Sequence, residues 1–214
     1  MSGQHSNRPP GDRNPGPSEG IEGSAEAVLL APEENVQLML ALRAGDAAAF
    51  DVLFRRWSGP LLRYLERMLR DRAVAEELVQ EAFIRVHEAR ERYRPDARFS
   101  TWLYRIATNL ALNELRRPRH RAVHRSADEE GVPLLADAGP GTEAVVDARR
   151  RGAAAARALG ELPEKQRAAL CLAAVEGLSY AEVAEALDVT EKAVKSLVHR
   201  ARSSLARRLA GEEG

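Results

Sequence analysis

The side chains best suited to chemistry lie near the C-terminus, and the chemistry they suit is nucleic-acid recognition. From Lys192 to Ala210 the sequence contains no acidic residue. Lysine and arginine bind phosphate oxygens, and polar side chains near the start of a helix reach the edges of bases. The side chains that point outward from a predicted helix here are Lys195, Ser196, His199, Arg200 and Arg202.

Two short amphipathic helices would position these side chains. The segment Ser179 to Glu182 has the pattern of a capping box, which predicts the start of the first helix. Asp188 and Val189 form the predicted turn, and Thr190 is the predicted N-cap of the second helix. The apolar positions of the second helix recur at helical spacing at Val194, Leu197, Val198, Ala201, Leu205 and Leu209. The pattern predicts a helix-turn-helix whose second helix enters the major groove of DNA.

The basic helix offers two kinds of DNA contact. The side chains suited to base edges are Lys195, Ser196, His199 and Arg200, and those suited to phosphate are Lys192, Arg202 and Arg207. An ordinary helical hairpin with a solvated basic face is the alternative interpretation. The acid-free run favours DNA binding over that alternative.

The sequence has no pattern that indicates catalysis. It contains no glycine-rich phosphate loop, no cluster of metal-ligating residues and no distinctive Ser/His/Asp constellation. The single cysteine, Cys171, lies in an apolar helical run and is typical of a buried core residue. We therefore expect a protein that is not an enzyme and that needs no metal or cofactor.

Composition favours a helical protein of one or two small domains. The chain has 214 residues, of which 5% are aromatic, and alanine, leucine and arginine are frequent. The net charge is zero, but the N-terminal segment is acidic and the C-terminal helix is basic, which indicates a nucleic-acid partner. No apolar run is long enough to span a bilayer and no signal peptide is recognisable, so we expect a cytoplasmic protein without membrane insertion.

Three helices are predicted between Glu34 and about Arg92. Gly45 and Asp46 separate the first two, with Asp46 as the N-cap of the second. The third begins at Arg72. The predicted apolar face of the second helix contains Phe50, Leu53, Phe54 and Trp57. The third helix would bury Leu78, Val79, Ala82, Phe83 and Val86 and expose Glu77, Gln80, Glu81 and Glu88.

A fourth helix carries polar residues that suit nucleic acid. Ser100 or Thr101 is its predicted N-cap, and Pro118 ends it. Asn109 and Asn113 are one turn apart and share a face. Arginines are frequent in and after this helix, at Arg105, Arg116, Arg117, Arg119 and Arg121. Asparagine and arginine offer the donors that bases and phosphates accept, which adds weight to a role in nucleic-acid binding.

Two segments lack helical periodicity. Residues 1–33 are rich in proline, glycine and serine, and we predict a disordered tail. Residues 121–152 contain several glycines and prolines and form a predicted flexible linker. The sequence therefore predicts an all-α protein of two small helical domains, at 34–120 and 153–210, of which the second is a helix-turn-helix.

Four stretches in the correct order resemble the sigma-70 family, specifically the short extracytoplasmic-function (ECF) type of RNA polymerase sigma factor. LRAGDAAAFDVLFRRW resembles the opening of the family's first conserved domain, and AEELVQEAFIRVHEAR its most regular helix. FSTWLYRIATNLALNELRR resembles the promoter-melting segment. ELPEKQRAALCLAAVEGLSYAEVAEALDVTEKAVKSLVHRAR resembles the second domain. The resemblance covers about residues 36–118 and 155–209.

This resemblance implies a protein that binds core RNA polymerase and directs promoter-specific initiation at −10 and −35 elements. It implies polymerase contacts by Glu77, Gln80 and Glu81, against the clamp helices of the largest subunit. The implied contacts to single-stranded −10 DNA are Phe99, Asn109, Asn113, Arg116 and Arg117. The implied contacts to duplex −35 DNA are Thr190, Lys192, Lys195, Ser196, His199, Arg200 and Arg202. Regulation by a separate anti-sigma factor is also implied.

The basic helix departs from the family's usual pattern at three positions. The family often has Gly-Thr where this chain has Lys192-Ala193, and arginine where this chain has Leu197. These differences concern the −35 sequence that the helix reads and not the fold. Two other classes of function stay open at this point: a conventional helix-turn-helix regulator with an N-terminal sensor domain, and an interaction protein whose basic helix is only a solvated face.

Overall fold

The computed structural model describes residues 32–96, 98–117 and 143–212, and within these ranges the chain is helical and has no strands. The helices are α1 (Pro32–Arg43), α2 (Ala47–Leu69), α3 (Arg72–Glu88), α4 (Phe99–Leu115), α5 (Glu143–Gly160), α6 (Glu164–Leu170), α7 (Tyr180–Leu187) and α8 (Glu191–Glu212). A 3-10 turn spans Arg90–Arg92, and a π-helical segment at Cys171–Val175 continues α6. The predicted all-α class is confirmed.

Local capping residues start several helices where the sequence predicts. The Asp46 carboxylate accepts a backbone N–H of α2 at 2.9 Å. Ser179 and Glu182 form the complete capping box of α7. The Thr190 hydroxyl accepts a backbone N–H of α8 at 3.2 Å. Each cap satisfies an N–H group that the first turn of a helix leaves without an intrahelical partner.

The start of α4 differs from the prediction. The helix begins at Phe99, so Ser100 and Thr101 lie inside its first turn and do not cap it. Arg98, which precedes the helix, has an extended backbone and makes no side-chain capping bond. Both hydroxyl residues are buried, which shows that contacts with other helices fix this end of α4 rather than a local cap.

The predicted linker ends earlier than expected. Helix α5 begins at Glu143, so residues 143–152 are helical, where we predicted a flexible connection. Residues 118–142, which hold the rest of that connection, and nearly all of the predicted disordered tail lie outside the described residues.

Aromatic side chains form the core of the first four helices, where α2 contacts α1, α3 and α4. Trp57 meets Phe99 and Tyr104, and Tyr64 meets Tyr104, with ring centroids 5.2 to 6.2 Å apart in edge-to-face geometry. Such pairs add about 0.5–1.5 kcal/mol each beyond the area they bury. Asn35 of α1 accepts the indole N–H of Trp57 at 3.3 Å, which ties α1 to this core.

We call α1–α4 the first helical unit and α5–α8 the second. Helix α8 is the longest helix of the second unit and packs on α5, α6 and α7. Its inward side chains Val194, Val198 and Ala201 are at most 1% exposed. Between α7 and α8 the chain turns at Asp188, whose φ of 52° lies in the left-handed region. The predicted helix-turn-helix is therefore present, with the apolar face of its second helix buried.

The two helical units also pack against each other, which the sequence analysis did not anticipate. Helices α6 and α7 contact α4, and α5 and α6 contact α2. One continuous cluster of buried apolar side chains includes Leu65 and Met68 of α2 together with Leu172 and Val183 of the second unit. The interface between the units therefore has an apolar centre.

Candidate nucleic-acid and protein interfaces

The predicted DNA-reading side chains of α8 are all exposed, on the sides of the helix that do not pack on the core. Those that the structure leaves exposed are Thr190, Lys192, Lys195, Ser196, His199, Arg200 and Arg202. The Arg200 guanidinium Nε donates to the Ser196 carbonyl at 3.3 Å. The Lys195 ammonium lies 3.6 Å from the carboxylate of Glu191, the residue just before the acid-free run. Leu197, which departs from the family pattern, is half-buried against the core.

An open groove of about 490 Å³ borders this face of α8. Its lining residues are Gln166, His199, Arg200, Ser203, Ser204 and Arg207. Sequence reasoning missed Gln166, because it lies on α6 and only the packing of α6 on α8 brings it to the groove. It also missed Ser203 and Ser204, which have no distinctive spacing in the sequence.

The predicted −10 residues lie on α4 and directly after it, and they differ in exposure. Asn109, Asn113, Arg116 and Arg117 are exposed. Phe99, which the sequence analysis placed among the DNA contacts, is 1% exposed and packs against Trp57 and Trp102. The predicted direct contact of Phe99 with DNA is therefore not available in this structure, because its ring is part of the core.

The exposed side of α3 mixes acidic and apolar side chains. Glu77 and Gln80 are exposed, and Glu81 pairs with Arg85 at 2.8 Å. Ile84 lies one turn further along this side and is 52% exposed. Phe54 of α2, which the sequence placed on a buried face, is 37% exposed and touches the ring of Phe83. Sequence reasoning missed Ile84 as a surface residue, although an apolar residue in line with polar ones was the signal.

A cluster of polar side chains lies inside the interface between the two units. The Glu176 carboxylate, whose side chain is 9% exposed, pairs with the Arg67 guanidinium of α2 at 2.8 Å. Its other oxygen accepts a hydrogen bond from the Tyr104 hydroxyl of α4. Burial raises the pKa of Glu176 above its ordinary value, and the Tyr104 hydrogen bond and the Arg67 charge act in the opposite direction. Burial also raises the pKa of Tyr104, and the charge of Glu176 adds to that effect.

Arg167 of α6 makes a second polar connection between the units. Its guanidinium donates to the carbonyl of Met68, in the last turn of α2, and to the carbonyl of Gly160 at the end of α5. It also donates to the Leu162 carbonyl at 3.2 Å. Carbonyl groups at helix C-termini lack intrahelical partners and attract cations, so one buried arginine serves two helix ends. Burial lowers the pKa of Arg167.

Neither a metal cluster nor a membrane span is found within residues 32–96, 98–117 and 143–212. No group of histidine, cysteine, aspartate and glutamate side chains there could hold a metal ion. No helix in these ranges is both long and apolar enough to cross a bilayer. Cys171 is buried, as the sequence predicts, and burial raises the pKa of its thiol to about 11.

Two helical units, the second a helix-turn-helix with an exposed basic helix, are the architecture of a helical DNA-binding protein. Comparison with known proteins gives its family. Residues 53–121 match Sigma-70 region 2, and residues 153–205 match Sigma-70, region 4. The chain is 38% identical over 175 residues to the ECF RNA polymerase sigma factor SigM of Mycobacterium tuberculosis. This match covers 82% of the chain and 84% of SigM. It is 34% identical to the RNA polymerase sigma-H factor of Pseudomonas aeruginosa, over 83% of this chain and 94% of the relative.

Solved structures give the same fold. CnrH, in a complex with the cytosolic domain of CnrY, superposes with a TM-score of 0.62 at 24% identity, over 83% of this chain and 98% of CnrH. The family models and the curated relatives show that the chain belongs to the ECF subfamily of sigma-70 RNA polymerase sigma factors. It is a non-enzymatic factor that directs promoter-specific transcription initiation through RNA polymerase, and the expected class of function is confirmed.

Proposed function

We propose that this sigma factor holds core RNA polymerase through α3, captures the −10 element with α4 and reads the −35 element with α8. The single observation that carries the proposal is the surface of α8. All the side chains predicted to contact the −35 element lie exposed on one helix whose opposite face is buried. A recognition helix needs one buried and one exposed side, since only the side away from the core can enter the major groove.

On α8 the proposed contacts divide by chemistry. Lys195, Ser196, His199 and Arg200 contact base edges, and Lys192 and Arg202 contact phosphates. Thr190, at the N-cap, lies where a backbone phosphate approaches the start of the helix. The groove beside His199 adds Gln166 and Arg207 as further donors toward the DNA backbone.

The proposed −10 contacts are the exposed Asn109 and Asn113 on α4 and the exposed Arg116 and Arg117 directly after it. Asparagine offers both a donor and an acceptor to an unpaired base, and arginine binds phosphate along the displaced strand. Phe99 has a supporting role here: its ring packs beneath the start of α4 and fixes the helix that carries the contacts.

The surface of α3 and α2 that contains Glu77, Gln80, Glu81, Ile84 and Phe54 is the proposed polymerase-binding surface. Specific protein interfaces combine an apolar centre with a polar rim. The exposed side chains of Ile84 and Phe54 supply the apolar part, and the carboxylates supply charge for a basic partner. The partner is the largest subunit of core RNA polymerase.

We also propose a separate anti-sigma factor as a regulatory partner and the cytoplasm as the site of action. The solved structure of the sigma factor RpoE of Bartonella quintana contains its anti-sigma factor NepR, and its fold matches this chain with a TM-score of 0.59 at 23% identity. The cytoplasm is proposed because core RNA polymerase and promoter DNA are located there.

The polymerase-binding surface is tested by the double variant Glu77→Lys with Gln80→Ala. Reversing the charge at Glu77 places a like charge against a basic partner, which costs several kcal/mol at a docked surface. We expect weaker binding to core polymerase and a matching loss of run-off transcription. The matched control is Glu33→Lys, the same charge change at an exposed position of α1. Unchanged affinity of the double variant for core polymerase would remove this surface from the proposal.

A further inference from the structure

The helix proposed to read the −35 element begins with an acidic residue. Glu191 is the first residue of α8 and directly follows the N-cap Thr190, and residues 192–210 contain no other acid. Its side chain is 53% exposed, and its carboxylate lies 3.6 Å from the Lys195 ammonium. The two residues are about 40° apart around the helix axis, so their side chains project on the same side. The start of α8 therefore presents a negative group and a positive group together.

A role in helix stability does not distinguish Glu191 from other acidic residues of the chain. A carboxylate in the first turn interacts favourably with the helix dipole, and two other helices also begin with acidic residues, Glu33 in α1 and Glu164 in α6. The position of Glu191 on the molecule is what differs. The N-terminal residues of a recognition helix are those that contact base edges in the major groove, so Glu191 lies where α8 is proposed to meet the DNA.

A carboxylate in the major groove lies between two rows of phosphate groups, and like charges at an interface are unfavourable. It is stabilised there only by groups that donate hydrogen bonds, because a charge removed from water must be paired. The bases supply two such donors in the major groove, the N4 amino group of cytosine and the N6 amino group of adenine. The N7 acceptor of adenine lies beside its N6 amino group and repels a carboxylate. Cytosine has no acceptor at this edge and is therefore the base that fits Glu191.

Lys195 makes the arrangement complementary to a pair of bases. Its ammonium group carries three donors and no acceptor, which suits the O6 and N7 acceptors of guanine. The Glu191 carboxylate offers only acceptors, so it repels the O4 atom of thymine and the acceptors of guanine. Attraction of one base and repulsion of the others both contribute to specificity. Glu191 and Lys195 together therefore favour a cytosine with a guanine nearby, on the same strand or on the opposite one.

We propose that Glu191 is a specificity-determining residue of this sigma factor and accepts a hydrogen bond from the N4 amino group of a cytosine in the −35 element. The inference rests on the proposed reading of this element by α8. The charge of Glu191 opposes binding to every DNA sequence, whereas its hydrogen bond forms only where cytosine occupies the correct position. Glu191 therefore lowers the affinity for unrelated DNA and increases the preference for one base.

Selection of promoter fragments by the holoenzyme tests the inference. The full-length chain and core polymerase form the holoenzyme, and the fragments have a fixed −10 element and a randomised −35 element. The fragments that the holoenzyme retains are sequenced for the wild type, Glu191→Ala and Glu191→Gln. Glu33→Ala is the matched control, since it removes an exposed acidic residue from the first turn of α1.

In the wild-type pool we expect one −35 position to favour cytosine about fivefold or more over the other bases. Glu191→Ala should lose this preference and keep the preferences at the other positions. Glu191→Gln should shift the same position toward adenine, because a carboxamide pairs with its N6 and N7 atoms. Glu33→Ala should give the wild-type pool. Glu191→Ala should also bind a fragment without promoter elements more tightly than the wild type does, because a negative charge near the phosphates is removed.

Identical base preferences in the wild type and Glu191→Ala would overturn the inference, and so would a wild-type pool in which no −35 position favours cytosine. Loss of preference at several positions in Glu191→Ala would also overturn it, because Glu191 would then support the helix rather than read one base. A failure of the proposed function has a different result. Unchanged −35 preferences in both Lys195→Ala and Arg200→Ala would contradict the reading of this element by α8.

Discussion

Two neighbouring arginines on α8 are predicted to make different DNA contacts, Arg200 to a base and Arg202 to a phosphate. Arg200 and Arg202 are both exposed, but they lie about 200° apart around the helix, so they face different parts of the duplex. We expect Arg200→Ala to lose about 1–3 kcal/mol on the preferred −35 sequence and to relax specificity, since a bidentate base contact is removed. Arg202→Ala should weaken binding to all sequences by the same amount. It should also lower the slope of log K against log salt concentration by about 1.

Anisotropy titrations of the holoenzyme at several salt concentrations, on the preferred sequence and on one with a changed −35 element, measure both effects. Each arginine variant serves as the control for the other. An equal loss on both sequences for Arg200→Ala would assign Arg200 to phosphate rather than to a base.

The buried Glu176 carboxylate makes stability depend on pH in a defined direction. Its pKa in the folded state is raised above the ordinary value of 4.5, mainly by burial. The folded state therefore holds this proton more tightly than the unfolded state does. The stabilisation is complete below pH 4.5 and is lost as the pH rises through the folded-state pKa.

Glu176→Gln removes this titration and leaves the other carboxyl groups in place. We therefore expect the free energy of unfolding of the wild type, relative to that of Glu176→Gln, to fall as the pH rises from 4.5 through the raised pKa. Urea denaturation at a series of pH values measures the difference. A pH-independent difference, or one that grows with pH, would contradict the direction of the shift.

At the scale of the element, the capping box of α7 links local sequence to the interface. The Ser179 hydroxyl accepts the Glu182 backbone N–H at 3.3 Å, and the Glu182 carboxylate accepts the Ser179 N–H at 2.8 Å. The same carboxylate approaches Arg98 and Thr101 of the first unit. A residue that the sequence identifies only as a cap therefore also contributes to the contact between the units.

We expect Ser179→Ala to lower the free energy of unfolding by about 1 kcal/mol, the usual effect of removing an N-cap hydroxyl. Ser203→Ala, at an exposed position inside α8, should change it by less than about 0.5 kcal/mol. Urea denaturation followed by circular dichroism measures both. Equal effects of the two substitutions would show that the cap contributes no stability of its own.

The helix starts that could be predicted are those set by contacts between residues close in sequence. Asp46, Ser179 and Thr190 cap helices through bonds to residues two or three positions away, and the sequence contains all the partners. The start of α4 could not be predicted in this way. Ser100 and Thr101 have the side chains of N-caps but are buried inside the first turn, because packing against other helices outweighs the local preference.

The functional surfaces, too, could be predicted only where residues close in sequence determine them. The outward face of α8 follows from helical periodicity, which puts Arg200 opposite Val194 and Val198 without knowledge of the partner helices. Phe99 could not be assigned correctly, because an aromatic residue at the start of a helix fits both a base contact and a core position. Only the neighbouring rings of Trp57 and Trp102 decide between them.

At the scale of the whole molecule, the interface between the units depends on residues far apart in sequence. Glu176 and Arg167 have no local pattern that marks them as interface residues, and their partners lie 72 to 109 positions away. An apolar helical stripe predicts that a helix packs but not against which element. For that reason the sequence predicts two helical units and leaves their association undetermined.

This association predicts cooperative unfolding that a single substitution should disrupt. Both tryptophans, Trp57 and Trp102, belong to the first unit, so their fluorescence reports that unit, whereas far-UV circular dichroism reports the helices of both. In the wild type we expect the two signals to give the same unfolding midpoint, because one buried cluster joins the units. Arg167→Ala leaves a buried carbonyl group of α2 and a partly buried one of α5 without this donor, and the buried one alone costs about 1–3 kcal/mol.

In Arg167→Ala we therefore expect the two midpoints to separate, with the fluorescence and dichroism curves no longer superimposable. Arg150→Ala, at an exposed position on α5, is the matched control and should keep a single transition. Coincident but lowered midpoints in Arg167→Ala would mean that the arginine stabilises the whole molecule without coupling its halves. Separate midpoints already in the wild type would show that the two units fold independently despite their contact.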